Sequence, residues 1–221
     1  MNEAQLQVRQ IKDQDAAIRQ AREWMRESAR ALVLDTETTG LDGEVWECAA
    51  VQVDGLPVLC WTANANSAEW SERAREMHNH RLEDIARAPG VSVFEAATVQ
   101  TLKNHVVLAY NAEFDRRALE RTLNGVDLLP EFGCVAELYA PFAGRWSESR
   151  QAWKFVSLAD ACALEGVDLY AHHSAYADAH AAAALVQLVA QRLTSAEQEA
   201  RDEEAAAQVY TDDLEADTAE F

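Results

Sequence analysis

Three apolar runs stand in a row near the start of the chain: ALVLDTE (31–37), VWECAAVQV (45–53) and PVLCWTA (57–63). Each has the length of a strand. The last two are joined through Asp54-Gly55, a dipeptide that tolerates the positive φ of a tight hairpin turn. Three strands linked this closely form antiparallel neighbours. Then the rhythm changes. Residues 67–102 are polar and periodic, which predicts two or three helices broken near Pro89-Gly90. The apolar run HVVLAY (105–110) leads directly into a helix over 112–123, residues 132–135 read as a last short strand, and helices are expected over 158–164 and 174–193. Strands first, then strand and helix in alternation, give an α/β fold: a mixed five-stranded sheet flanked by helices.

Between residues 13 and 29, Ala16, Ile18, Ala21, Trp24 and Met25 recur at helical spacing among charges. The expected organisation is therefore a helical lead-in over 1–30, one main domain over 31–193, and a tail over 194–221. With 221 residues, 49% of them apolar, the chain can bury a core of ordinary size. No segment approaches the roughly 20 apolar residues of a membrane span, and the charged N-terminus does not resemble a secretion signal. A soluble, cytoplasmic protein is expected. The four cysteines, Cys48, Cys60, Cys134 and Cys162, form no C-x-x-C pair and read as reduced core residues.

The net charge of -19 by itself argues against nucleic acid as a partner, because phosphate binding usually requires a basic surface. From Ser195 onward there are ten acids and one base, Arg201, so nearly half of the excess lies in the tail. Rich in Ala, Glu and Asp, that tail is either a solvated helix or disordered.

Chemistry concentrates at three places. Asp35 and Glu37 end the first strand two residues apart, so both carboxylates leave the same face about 6 to 7 Å apart, a spacing that suits a shared hard cation. A solvated strand end is the plainer reading of D-x-E alone. Asn111 and Asp115 follow the strand HVVLAY at the first turn of a helix, where a carboxylate gains from the helix dipole. For Asn111, simple capping would account for the residue. His173 and Asp178 come last. Five positions on a helix rotate by about 140°, so His173 is expected on the loop before the helix and Asp178 within its first turns. His172, next door, competes for the same part.

Taken together, DTETTGL (35–41), NAEFD (111–115) and H-x4-D (173–178) resemble the three exonuclease motifs of the DnaQ-like DEDD superfamily, over about 31–193. The resemblance implies a ribonuclease H-like fold. It implies a metal-dependent 3'-5' exonuclease that removes nucleotides from single-stranded nucleic acid with a free 3' end, DNA favoured. His173, with Ser174 where the tyrosine subclass has Tyr, places the chain with the histidine type. By the same resemblance Asp35, Glu37, Asp115 and Asp178 would hold two Mg²⁺ ions, replaceable by Mn²⁺, with Asp35 shared between them, and His173 would accept the proton of the attacking water. Thr36, Thr38, Leu41, Asn111 and Phe114 would bind substrate: backbone at Thr36 and Thr38 near the 3'-hydroxyl, Leu41 against the last bases, Phe114 stacked on one.

Two departures from the family pattern bear on substrate preference. Met77-His78-Asn79 stands where relatives often have His-Gly-Ile, and Gly133-Cys134-Val135 where many have Asp-Thr. The segment 140–155 gathers Arg145, Arg150 and Lys154 with Trp146 and Trp153, which reads either as a phosphate- and base-binding loop or as a solvated loop pinned by two aromatics. Two other functions stay open at this point. One is RNA processing by the same chemistry. The other is a non-catalytic interaction protein that uses the acidic tail to dock a partner. Oligomeric state is not legible.

Overall fold

The computed structural model describes residues 1–65, 70–78, 81–123, 129–169 and 173–204. Five strands form one sheet in the order β3-β2-β1-β4-β5, where β1 is Ala31–Thr38, β2 Val45–Gln52, β3 Pro57–Thr62, β4 Val106–Ala109 and β5 Phe132–Cys134. β1 is central, antiparallel to β2 and parallel to β4. Its residues are all buried except Asp35, which explains why its sequence is a continuous apolar run rather than an alternation. Period two still sorts the side chains: Ala31 and Val33 enter the core on one face, Leu32 and Leu34 the core on the other. The β2-β3 hairpin turns at Gly55, whose φ of 95° is open to glycine at little cost.

On the first face lie α1 (Glu3–Arg26), α6 (Val135–Ala143), α7 (Leu158–Glu165) and α8 (Ala175–Gln191). α8 presents Ala175, Ala179, Ala181, Ala182 and Ala183 as buried residues, and these small side chains let it lie close against β1 and β2. On the other face, α4 (Glu95–Lys103) and α5 (Ala112–Thr122) contribute Leu102, Ala118 and Leu119. The short helices α2 (Glu72–His78) and α3 (Leu82–Arg87) cross the chain between β3 and α4.

α1 begins about ten residues earlier than apolar periodicity predicts. Asn2 and Gln5 form a capping box, and the amides of Gln10 and Gln14 donate to the Pro141 carbonyl at 2.8 and 3.2 Å. Polar contacts hold those first turns, and no apolar stripe announces them. Ala17, Ile18 and Ala21 are buried in the main core, so α1 is packed as tightly as the later elements. α6 was not anticipated, and residues 140–155 are more ordered than a loop. α6 ends at Gly144 with φ 68°, and a small hairpin follows, β6 (Trp146–Ser147) with β7 (Ala152–Trp153). Trp146 and Trp153 meet edge-on at 5.0 Å, and Trp153 donates to Asp13 of α1 at 2.9 Å. The aromatic pair therefore pins the hairpin to α1.

Residues 195–204 are helical and tied back to α1. The Ser195 N–H donates to Asp15 at 2.8 Å, and the Arg22 guanidinium meets both oxygens of Glu197 at 2.7 and 2.9 Å. The rest of the acidic tail lies outside the described residues. Gly133 tests the packing of α1 on the sheet: a Cβ there would stand 2.7 Å from Leu108 Cδ2 and 2.9 Å from Trp24 Cζ2. Gly133→Ala should destabilise by about 1–3 kcal/mol, read as a lower urea midpoint at unchanged slope. An unchanged midpoint would mean that Trp24 does not pack against β5.

Candidate active site

Because β1 and β4 are parallel neighbours, the chain leaves both at the same edge of the sheet. Asp35 and Glu37 sit in the last turn-lengths of β1, and Asp115 lies in the first turn of α5, immediately beyond β4. α8 brings the third segment: His173 lies two residues before it and Asp178 one turn inside, with its N–H bonded to the Ser174 carbonyl at 3.0 Å. Ligand atoms of Glu37, His173 and Asp178 all fall within 4.8 Å of one another. His173 has a φ of 70°, in the left-handed region, which for a non-glycine residue costs about 1–3 kcal/mol and persists only where surrounding contacts impose it.

These groups repel one another. Burial, followed by the charges of Asp115, Glu37, Asp178 and Glu47, pushes the Asp35 carboxyl well above its usual range. Burial also raises Asp115 to about 7, against hydrogen bonds that favour its ionised form, two of which reach it from β1. Both come from Thr36, whose N–H and hydroxyl donate to Asp115 Oδ1 at 3.0 and 2.8 Å. Oxygen donors crowded this closely, with carboxyls raised for want of a counter-charge, fit a hard divalent cation.

Further residues converge on the site that sequence reading did not single out as functional. His78 is buried, with Nε2 3.4 Å from Glu37 Oε2 and its ring 6.3 Å from that of His173. Its Nδ1 has no hydrogen-bond partner among the described residues. Glu47 lies directly across the strand pair from Glu37 and is also buried. Both its oxygens take the Arg81 guanidinium, at 2.8 and 2.9 Å. His78 was visible only as part of a departure from a family pattern, whose Asn79 lies outside the described residues. An acid within the apolar run VWECAAVQV was the one available signal for Glu47.

Beside the carboxylates runs a groove of about 770 Å³, lined by residues 36–43, Trp70, Arg73, Met77, His78 and Phe114 among others. Thr36, Thr38, Leu41 and Phe114 are therefore at its wall. Leu41 is 83% exposed, so it is not a core residue. Thr36 spends both donors on Asp115, and the Thr38 hydroxyl donates to the Gly40 carbonyl at 2.8 Å. Asn111 is elsewhere: it precedes α5 without a side-chain capping bond and lines a separate groove with Trp24, Phe132 and Phe155. His172 lies outside the described residues.

No protein-family model matches this sequence, and no curated protein does. Among solved structures, exonuclease X in complex with 5'-overhanging duplex DNA is similar, with a TM-score of 0.51 and 21% identity, over 76% of this chain and 96% of that one. The fold is ribonuclease H-like. It is the expected one, down to a mixed five-stranded sheet flanked by helices. Among the described residues no helix is long and apolar enough to cross a membrane.

The raised carboxyls dictate a pH dependence of stability in metal-free protein. Asp115 has a folded pKa of about 7 against an ordinary carboxyl value of 3.8, so between those limits the folded state binds a proton that the unfolded state has lost. Stability from this group is whole below about pH 4 and is lost as pH rises through 7, with a limiting slope of about 1.4 kcal/mol per pH unit. Asp115→Asn, which keeps the acceptor for Thr36, should flatten the fall of urea midpoint between pH 4 and 7 and raise stability at pH 8. A variant that declines as steeply as the parent would remove Asp115 from the repulsive cluster.

Proposed function

We propose that this chain is a DnaQ-like 3'-5' exonuclease of the histidine type, acting on single-stranded nucleic acid, with DNA the favoured substrate. One observation carries the reading: ligand atoms of Glu37, His173 and Asp178, dispersed in sequence, lie within 4.8 Å of one another, and the charges of Glu37, Asp115 and Asp178 all bear on the Asp35 carboxyl beside them. A core residue has no use for such crowding, whereas a phosphodiesterase does. Asp35, Glu37, Asp115 and Asp178 would hold two Mg²⁺ or Mn²⁺ ions, with Asp35 common to both. When bound, such ions polarise the phosphate and make water acidic enough to attack at neutral pH.

The chain's own residues supply the rest. His173 belongs to the cluster and is half-exposed, where an imidazole can reach a water and take its proton. Thr36 orients Asp115 through its two hydrogen bonds. Leu41, Phe114 and Trp70 offer apolar faces to unstacked bases along the groove, and Arg73 on the same wall offers a cation to phosphate. Duplex bases would not present those faces, hence the preference for single strands. The similar solved structure is that of an exonuclease in complex with 5' overhanging duplex DNA, which supports nucleic acid as the substrate class. The setting that fits this chemistry is cytoplasmic DNA repair or processing.

The test is degradation of end-labelled DNA and RNA oligonucleotides. Mg²⁺ or Mn²⁺ should be required and Ca²⁺ should bind without turnover, because it is larger and activates water poorly. Shortening should proceed from the 3' end, and Asp35→Asn should abolish it. His173→Ala should lower kcat by about two to four orders of magnitude with little change in KM, while His172→Ala is mild. Undiminished hydrolysis in excess chelator, or full activity of Asp35→Asn, would overturn the proposal. Faster loss of RNA than DNA would reassign the substrate to RNA.

A further inference from the structure

The start of α8 carries both His173 and Asp178, yet its own N-cap residue does nothing to fix it: Ser174 makes no side-chain capping bond. The cap comes from 128 residues away. Glu47 Oε2 accepts the N–H of Ala175, the first residue of α8, at 3.2 Å. A carboxylate at that position also faces the positive end of the helix. Glu47 stands opposite Glu37 in the β1-β2 register, so one residue joins the strand that carries two acids to the helix that carries the third.

A buried carboxylate is costly without a cation, and Arg81 supplies one to Glu47 through a two-pronged contact. Arg81 is held in turn by Trp46, with its guanidinium carbon 4.8 Å from the ring centroid. Trp46 meets His78 edge-on at 4.8 Å, and His78 lies against Glu37. The path closes on itself. From Glu37 it runs across the sheet to Glu47, on to Arg81, Trp46 and His78, and back to Glu37.

We infer that Glu47 and Arg81 are positioning residues, which set the His173–Asp178 segment against the β1 carboxylates by capping α8 from across the sheet. This role rests on the exonuclease reading for its kinetic consequence, but not for its structural one. Arg81 has a second effect in the same arrangement. By occupying both oxygens of Glu47 it keeps that carboxylate from joining Glu37 as a further ligand. The left-handed backbone of His173 is then sustained by a fixed α8 terminus two residues away.

The experiment reads the His173 imidazole directly, by its ring resonances in the metal-free protein, with His105, beyond α4 and away from α8, as the internal control. In Arg81→Ala the His173 signals should shift and broaden while those of His105 stay in place. kcat on a single-stranded oligonucleotide should fall about tenfold or more, with KM within about twofold. Arg81→Lys, which keeps the charge but loses the planar two-pronged contact, should show the same displacement at smaller size. Glu47→Gln should recover the helix cap in part and lie between the two. Unmoved His173 signals in folded Arg81→Ala would overturn the inference, as would lost stability with kcat of the folded protein unchanged. Should Arg81→Ala not fold, Arg81→Lys decides by the same signals. A wild-type protein without nuclease activity would defeat the proposed function alone, since the His173 resonances need no turnover.

Discussion

Packing Asp35, Glu37, Asp115 and Asp178 around one end of the sheet sets like charges against each other in a place where burial already penalises ionisation, and much of the surrounding structure serves to hold that arrangement. Asp115 is restrained by two donors from Thr36. α8 is capped by Glu47, whose charge is met by Arg81. The central strand can carry two acids because its remaining residues are buried on both faces and bind it into the sheet. Such a cluster is stable when ionised only if something positive enters it. Arg81 is already bound to Glu47, so the cluster suits a small divalent ion more than a side chain.

The sheet delivers these acids economically. β1 and β4 are parallel, so their C-terminal ends share an edge, and a helix that follows β4 starts beside the acids that end β1. α8 needs no strand of its own, since its small alanines bring it close to β1 and β2. The groove beside them opens between the 36–43 segment and α2, with an exposed leucine and two aromatics along it. Negative charge elsewhere on the chain is compatible with this placement. Nearly half of the excess acids follow Ser195, after the helix that completes the site.

Most of the sheet was legible because its strands are short apolar runs with turn residues between them, and the first two acid-bearing segments were legible because each ends or follows such a run, while the third was legible from the H-x4-D spacing alone. The placement of His173 outside α8 followed from helix geometry alone. What could not be read depends on contacts across long stretches of sequence. The first turns of α1 are held by amides reaching Pro141, so no apolar stripe marks them. α6 carries Pro141 within it, and its last residues fall in the 140–155 segment that reads as a loop. Asn111, adjacent in sequence to the NAEFD acids, turns to a different groove because it precedes the helix that carries Asp115 inward. Glu47, Arg81 and His78 belong to the site through tertiary pairing, which no local spacing encodes.

The central claim is that the cluster is a cation site whose acids are partly protonated when empty. Calorimetric titration of Mn²⁺ into metal-free protein at pH 6.5, repeated in buffers of different ionisation enthalpy, counts the protons that binding displaces. With Asp115 near 7 and Asp35 well above its usual range, binding should release about one proton or more, and Asp115→Asn should reduce that number. Binding without proton release, or no binding in the millimolar range, would contradict the account.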